Sequence, residues 1–343
     1  MKAATQATVG VGDPMPRITL PSASGNVFDS SDPATAGLAR VYWLGAPPEP
    51  AAAETLADSL GDCETLLHFV MSASPAEPES YASWLIDKAG ELGRAFGTSR
   101  SLAILVDPAG RVADVLAEPT LDAVGKRALK LYDATSPQVV HAKAPVLLLE
   151  RVAEPGLCRA LIDYWHGKEK LTDTVGSESG NVTNADIKRR QDVQLDDPEL
   201  FVELRDCIVR RVLPAMAQAF HARINVIEAP MIGGYPAASG GWFRAHRDNT
   251  SRFNAHRQYA LSLNLSGADE YDGGAVRFPE YGRELYRPAA GAGLVFSCSL
   301  LHEATPVTRG MRMGAFTFLS TSGPAPTAAP RPGSTGRAGA ARR

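Results

Sequence analysis

Beyond residue 224 the chain is a succession of short apolar runs broken by glycine-rich turns, and no other feature restricts the fold as tightly. Strands are predicted at Ile224 to Glu228, Met231 to Tyr235, Trp242 to Asp248, Gln258 to Leu265, Gly274 to Phe278, Gly293 to Cys298 and Arg312 to Leu319. So many short strands at close spacing suggest a β-sandwich or barrel.

The first part of the chain has a different rhythm. Ala39 to Leu44 and Thr65 to Met71 are apolar strands with a helix, Glu54 to Leu60, between them. Tyr81 to Phe96 carries Trp84, Leu85, Leu92 and Phe96 at helical spacing and is expected to be a helix. Leu102 to Val106 and Arg111 to Leu116 flank Asp107-Pro108-Ala109-Gly110, a turn sequence, and so form a hairpin. Leu121 to Tyr132 closes the unit as a helix. Strands alternating with helices argue for an open α/β sheet covered on its faces.

Two domains are therefore expected: residues 1–135, α/β, and residues 145–320, mainly β, with 136–144 as a linker. The second opens with a strand, Val146 to Leu149, and a helix, Glu154 to Trp165. A long helix over Pro198 to Phe220 follows, which Pro214 should kink or divide. Residues 321–343 hold no large apolar side chain and are expected to be a disordered tail, their four arginines solvated.

Composition sets limits on partners. With 44% hydrophobic residues among 343, two cores can be filled. A net charge of -3 gives no reason to expect nucleic acid or an anionic membrane as partner. The longest apolar runs are too short to cross a bilayer, and Met1 to Gly12 does not read as a signal peptide, so a cytoplasmic protein is expected. Cys63, Cys158, Cys207 and Cys298 are widely spaced with no CxxC pair, and are expected as free, buried thiols.

The chemistry concentrates in Trp242-Phe243-Arg244-Ala245-His246-Arg247-Asp248. On a strand, residues i and i+2 share a face about 6.6 Å apart, so His246 and Asp248 can converge on one ion. A third ligand is available from His302, just beyond the strand Gly293 to Cys298. Two imidazoles and one carboxylate occupy one face of an octahedral ion and leave the rest open, the arrangement that suits iron(II). Zinc is the alternative ion. Ten residues on, Arg312 opens a strand whose alternation puts Arg312, Gly314, Phe316 and Phe318 on one face. An inward arginine needs an anion, and a dicarboxylate held in bidentate fashion would satisfy it, which a hydrolytic zinc site does not require. His68, His141, His166, His221 and His256 lack such a context. His256 lies in the loop 249–257, expected to line a substrate entrance.

These motifs identify a resemblance. Tyr235-Pro236 through His246-Arg247-Asp248-Asn249, Leu261-Ser262-Leu263-Asn264-Leu265, Tyr271-Asp272-Gly273-Gly274 and Leu294 to Arg312 are similar to the prolyl-4-hydroxylase-type iron(II), 2-oxoglutarate dioxygenases, and Lys188-Arg189-Arg190 with Asp197-Pro198-Glu199 looks like the run-in to that domain. The resemblance implies a double-stranded β-helix (jelly roll) with support helices outside. It implies His246, Asp248 and His302 as iron ligands, Arg312 on the distal carboxylate of 2-oxoglutarate, and Tyr235 lining the co-substrate pocket. Where some relatives place a co-substrate tyrosine on the Leu261 to Leu265 strand, this chain has Ser262. The implied reaction hydroxylates a C–H bond with dioxygen and releases succinate and CO2, with ascorbate as reductant. Halogenating relatives lack the carboxylate ligand, so Asp248 favours hydroxylation. Prolyl residues of a peptide or protein are the first expected substrate; a small molecule is the other.

The N-terminal region carries a second resemblance. Val11-Gly12-Asp13-Pro14-Met15-Pro16, the Gly25 turn and Leu102 to Val112 look like a peroxiredoxin-type thioredoxin fold. That family has a nucleophilic cysteine soon after the strand ending at Leu44, where this chain reads Gly45-Ala46-Pro47-Pro48-Glu49-Pro50. Without a thiolate there is no peroxidase chemistry, and Cys63 lies too far along. Two other readings compete with the oxygenase: a thiol peroxidase working through Cys63, and a non-catalytic binding module.

Overall fold

The computed structural model describes residues 8–75, 78–134, 143–172, 174–177, 180–183 and 187–322. Most of the expected linker, nearly all of the C-terminal tail and His141 lie outside the described residues. Among those described, no helix is long and apolar enough to cross a membrane.

The first unit is a five-stranded sheet in the order Ser83–Ile86, Thr65–Met71, Ala39–Leu44, Leu102–Val106, Val112–Ala117. The first three strands run parallel and the last two antiparallel. Its central strands are buried along nearly their whole length because both faces are covered. One face packs on the helices Pro50–Asp62 and Leu121–Ala134 through Leu56, Leu60, Val124 and Ala128, and the other on Ile18, Leu20 and Leu92. Burial on both sides is why Ala39–Leu44 shows no alternation.

The expected helix over Tyr81 to Phe96 is not formed. Ser83–Ile86 is an edge strand beside Thr65–Met71, and only Glu91–Ala95 is helical, after a left-handed Gly90. Trp84 stacks on Phe69 at 4.7 Å while Leu85 enters the opposite core. Two adjacent apolar residues serving opposite faces mimic helical spacing in sequence, and tertiary pairing decides the matter.

The second unit places two antiparallel sheets around a central space, a β-rich core of jelly-roll type. The larger has the path Leu147–Leu149, Gly293–Ser297, Tyr259–Asn264, Val307–Ser320, Met231–Pro236, Gln191–Gln194, Leu171–Thr172. The smaller runs Phe243–His246, His302–Ala304, Val276–Arg277, Leu285–Tyr286. Helices Pro155–His166, Pro198–Cys207 and Leu213–Phe220 cover the outer face of the larger sheet through Leu161, Trp165, Leu204, Ile208 and Met216. The division expected from Pro214 is present as a π turn, Ile208–Val212, ahead of the proline. Proline cannot donate to the preceding turn, and a wider turn relieves its ring.

The units meet through buried polar contacts. Asp13 accepts from Arg211 Nε at 3.0 Å and from Arg210, both in the π turn. Within the first unit, Arg111 donates twice to the carbonyl of Gly12, the neighbour of Asp13, at 3.0 and 2.8 Å. Arg211 also donates to the Val152 carbonyl at 2.9 Å and pairs with Glu154.

Cys158, Cys207 and Cys298 are buried, as expected, but Cys63 is only half-buried; among the described residues none of the four forms a disulfide. Burial pushes the Cys158 thiol up to about 11 and that of Cys207 to about 12, far from thiolate reactivity at neutral pH.

His68 lies between Tyr42, on which it stacks, and the tilted ring of Phe28 in the first core, and among the described residues neither of its ring nitrogens has a hydrogen-bond partner. Burial, reinforced by the nearby Arg40, pushes its pKa down to about 3. The unfolded imidazole titrates near 6.5, so its stability contribution is intact above that value and is lost as the pH falls from about 6.5 toward 3, at up to ~1.4 kcal/mol per pH unit. His68→Phe is expected to flatten that acid limb in urea denaturation at pH 7, 5.5 and 4.5; an unchanged slope would contradict the assignment.

Candidate metal centre

The pairing of the smaller sheet brings the ligands together. His246 lies directly opposite His302 across the antiparallel pair, and Phe243 opposite Ala304, with a bulge between. Directly opposed side chains are nearest neighbours, and the two imidazole centroids are 4.3 Å apart. The expected strand geometry is corrected in two respects. The strand ends at His246, so Asp248 sits in the turn beyond it, held by its amide donating to the Cys298 carbonyl at 2.9 Å. His302, expected at the end of the run that continues the strand Gly293 to Cys298, instead opens its own short strand, His302–Ala304, after a turn. A turn folding back, instead of i, i+2 alternation, swings Asp248 between the imidazoles.

The result is compact. Asp248 Oδ1 is 3.3 Å from His246 Nε2 and Oδ2 is 3.4 Å from His302 Nε2. One ligand atom from each residue lies within 4.8 Å of the others. His246 Nδ1 is 2.7 Å from the Arg244 carbonyl and His302 Nδ1 is 3.0 Å from the Leu300 carbonyl. A carbonyl only accepts, so both Nδ1 atoms carry the proton and both Nε2 lone pairs face the same point. Backbone carbonyls orient the imidazoles in the way that metal-ligating histidines require. Burial favours the neutral form of His302, lowering its pKa despite Asp248. For Asp248 burial acts the other way, but the neighbouring His246 and His302 hold its carboxyl below the ordinary value. Neutral imidazoles and an ionised carboxylate are the forms that bind a divalent metal.

The triad opens onto a cavity between the two sheets, also lined by Arg190, Tyr235, Ser262, Phe316 and Arg312. Arg312 is 2% exposed, and its Nη2 donates to Ser262 Oγ at 3.3 Å. Among the described residues it has no carboxylate partner. Tyr235 faces it across the register of Met231–Pro236 and Val307–Ser320, with the guanidinium 5.3 Å from the tyrosine ring centroid. Ser262 therefore occupies the place beside the arginine where the sequence placed a departure from relatives. Phe316 and Phe318 line the cavity on the same strand, as the alternation from Arg312 predicted.

Arg190, for which sequence reasoning found no role in the site, is buried, pairs with Asp192 through Nε at 2.5 Å and Nη2 at 3.1 Å, and donates from Nη1 to Tyr235 Oη at 3.2 Å. Lys188 also pairs with Asp192. The available signal was the spacing: charges at 188, 190 and 192 share one face of an extended segment. Gly233, opposite Asp192 in register, makes the room, since a Cβ there would lie 2.8 Å from Asp192 Oδ1 and 2.9 Å from Arg190 Cδ. His256 is not among the residues lining the cavity. It lies 3.0 Å from Glu228, and the neighbouring Arg257 stacks over Phe318 at 3.6 Å.

Residues 231–320 match the family model of the 2OG-Fe(II) oxygenase superfamily, a span that includes the triad, Tyr235 and Arg312. A PKHD-type hydroxylase of Cupriavidus pinatubonensis is 28% identical over 193 residues, covering 54% of this chain and 77% of that protein. One of Acidovorax ebreus is 30% identical over 153 residues, covering 43% of this chain and 66% of that protein, just under two thirds of its length. Among solved structures, a prolyl hydroxylase from Trichoplax adhaerens, in complex with a hypoxia inducible factor peptide fragment, aligns over 52% of this chain and 84% of its own (15% identity, TM-score 0.44). A Pseudomonas putida prolyl-4-hydroxylase aligns over 53% and 95% (19% identity, TM-score 0.40).

A buried guanidinium without a carboxylate partner costs stability in the absence of an anion. Arg312→Met is therefore expected to make the ligand-free protein more stable, by about 1–2 kcal/mol. The urea midpoint of the two proteins decides this; a clear loss of stability in the variant would show that Arg312 is already compensated.

Proposed function

We propose that this chain, a 2-oxoglutarate-dependent dioxygenase of hydroxylase type, hydroxylates a prolyl residue of a peptide or protein and releases succinate and CO2. His246, Asp248 and His302 are the iron(II) ligands, and Arg312 anchors the distal carboxylate of 2-oxoglutarate. The observation that carries the reading is the joint one: three ligand atoms within 4.8 Å of one another and a buried arginine lacking a carboxylate open onto the same cavity. The names of the relatives support the choice of prolyl substrate.

The iron supplies the activation of dioxygen. The protein supplies position and exclusion. The Nε2 lone pairs of His246 and His302 and one carboxylate oxygen of Asp248 would hold the ion, with Asp248 supplying the negative charge. The guanidinium of Arg312 fixes one end of the co-substrate by a two-pronged contact, and Ser262 holds the fork in place. Tyr235 closes the same end. Phe243, stacked on His246 at 3.7 Å, and Phe296, 4.6 Å from His302, shield the ligands from water. Asp248, as a carboxylate ligand, favours hydroxylation over halogenation.

The N-terminal unit is read as a thioredoxin-like domain, residues 1–135, joined through 136–144 to the oxygenase domain, 145–320. Its strand order and mixed parallel and antiparallel pairing support that. The loop after Ala39–Leu44 holds no cysteine, and Cys63 sits at the far end of the following helix. The unit is accordingly read as a scaffold or substrate-presenting domain without peroxidase activity.

With iron(II), 2-oxoglutarate, ascorbate and air, the protein is expected to form succinate slowly without substrate and faster with proline-containing peptides that gain 16 mass units. His246→Ala should abolish both signals. Succinate formation without any peptide product, in the presence of small metabolites that do gain 16 units, would overturn the peptide substrate while keeping the reaction. Absence of succinate above the His246→Ala background would sink the reaction itself.

A further inference from the structure

Arg190 is the least explained group in the cavity. It is 6% exposed, yet it is not free to take a ligand by itself, because Asp192 holds Nε at 2.5 Å and Nη2 at 3.1 Å. That clamp is tightly packed: the guanidinium lies 4.4 Å from the Phe316 ring centroid, and Gly233 leaves no space for a methyl group beside it. One nitrogen, Nη1, projects past the clamp to Tyr235 Oη at 3.2 Å.

The direction of that last bond follows from chemistry. A guanidinium has donors and no acceptor, so the phenol oxygen must accept. Its own hydrogen is then turned away from Arg190. Among the described residues the Tyr235 hydroxyl has no second partner, and it borders the cavity. Arg312 stands directly opposite Tyr235 in register, so the phenol and the guanidinium that lacks a carboxylate partner flank the same end of the cavity. A hydroxyl held this way offers a fixed donor to an anion sitting on Arg312, and a donor that needs no reorientation on binding keeps more of its hydrogen-bond energy.

We propose that Arg190 is a positioning residue for the co-substrate: clamped by Asp192, it fixes the rotamer of the Tyr235 hydroxyl so that its proton points at the carboxylate held by Arg312. The inference rests on the 2-oxoglutarate reading of the cavity. It differs from a direct arginine contact, because Arg190 acts only through Tyr235.

The test is a double-mutant cycle on 2-oxoglutarate binding, read by calorimetry on the zinc-loaded protein, where no turnover occurs. Tyr235→Phe and Arg190→Met should each weaken 2-oxoglutarate by about tenfold, the worth of one hydrogen bond to a charged group. The double variant should bind no worse than Tyr235→Phe alone, and zinc affinity should not change in any of them. Multiplying losses would overturn the proposal by showing that Arg190 acts independently of Tyr235, and an unchanged affinity in Arg190→Met would overturn it outright. Should Arg190→Met fail to fold, Tyr235→Phe, which removes a single oxygen, still decides: wild-type affinity there removes the donor on which the proposal depends. Arg312→Met separates the two levels. If it leaves 2-oxoglutarate binding intact, the reading of the cavity fails; if it abolishes binding while the cycle is additive, only the role of Arg190 does.

Discussion

The register of one strand governs the molecule's chemistry. Val307–Ser320 runs for 14 residues and pairs with Met231–Pro236, Tyr259–Asn264, Tyr271–Gly273 and Val226–Ile227. Alternate residues face the support helices and the cavity: Met313, Ala315 and Leu319 enter the outer core, while Arg312, Phe316 and Phe318 line the cavity. Slipping the pairing by one residue would exchange the two sets. It would drive a guanidinium into the helix-packed core and methionine into the anion site. Pairing on both flanks makes such a slip costly in backbone hydrogen bonds as well as in side-chain burial, so the position of Arg312 is fixed by the whole sheet.

The same sheet concentrates buried charge at one end of the cavity. Lys188, Arg190 and Arg312 are all nearly inaccessible to water, and Asp192 is the carboxylate buried among them. Isolated buried cations are too costly to persist without compensation. Asp192 compensates Lys188 and Arg190 by direct pairing, which leaves Arg312 with a neutral serine. This cationic charge stands beside the clustered side chains of His246, Asp248 and His302, and the register sets Tyr235 opposite Arg312.

Much of this was legible in the sequence, for definable reasons. The spacing of His246, Asp248, His302 and Arg312 suggested that they meet, and the structure brings them around one cavity. The route by which they converge was not found. Alternation put Asp248 on the strand with His246, whereas the structure ends the strand early and uses a turn anchored on Cys298. A turn of this kind has no periodic signature, so only the distance, and not the path, could be anticipated. Trp84 and Leu85 misled for the converse reason: neighbouring apolar residues that serve two faces of a doubly covered sheet imitate a helix. Arg190 escaped notice because its partner, Asp192, makes it look in sequence like one of many solvated pairs. Its burial depends on Gly233, contributed by a strand 43 residues further along.

The N-terminal unit bears on the site without reaching it. Every residue that lines the cavity comes from Arg190 or later. What the unit does contact is the π turn at Ile208–Val212, where Arg210 and Arg211, adjacent in sequence, both reach Asp13. In a regular helix consecutive side chains diverge by about 100°, so two neighbours seldom meet one carboxylate; the wider turn narrows that angle. Arg211 continues to Glu154 and the Val152 carbonyl, at the start of Pro155–His166, the helix whose Trp165 donates to the Gln191 carbonyl. Gln191 is the residue between Arg190 and Asp192. Polar contacts thus tie Asp13 to the start of the helix Pro155–His166, whose other end holds the segment that carries the cationic cluster, and the unit that has no thiol of its own at the expected position is fastened to the scaffold behind the cavity.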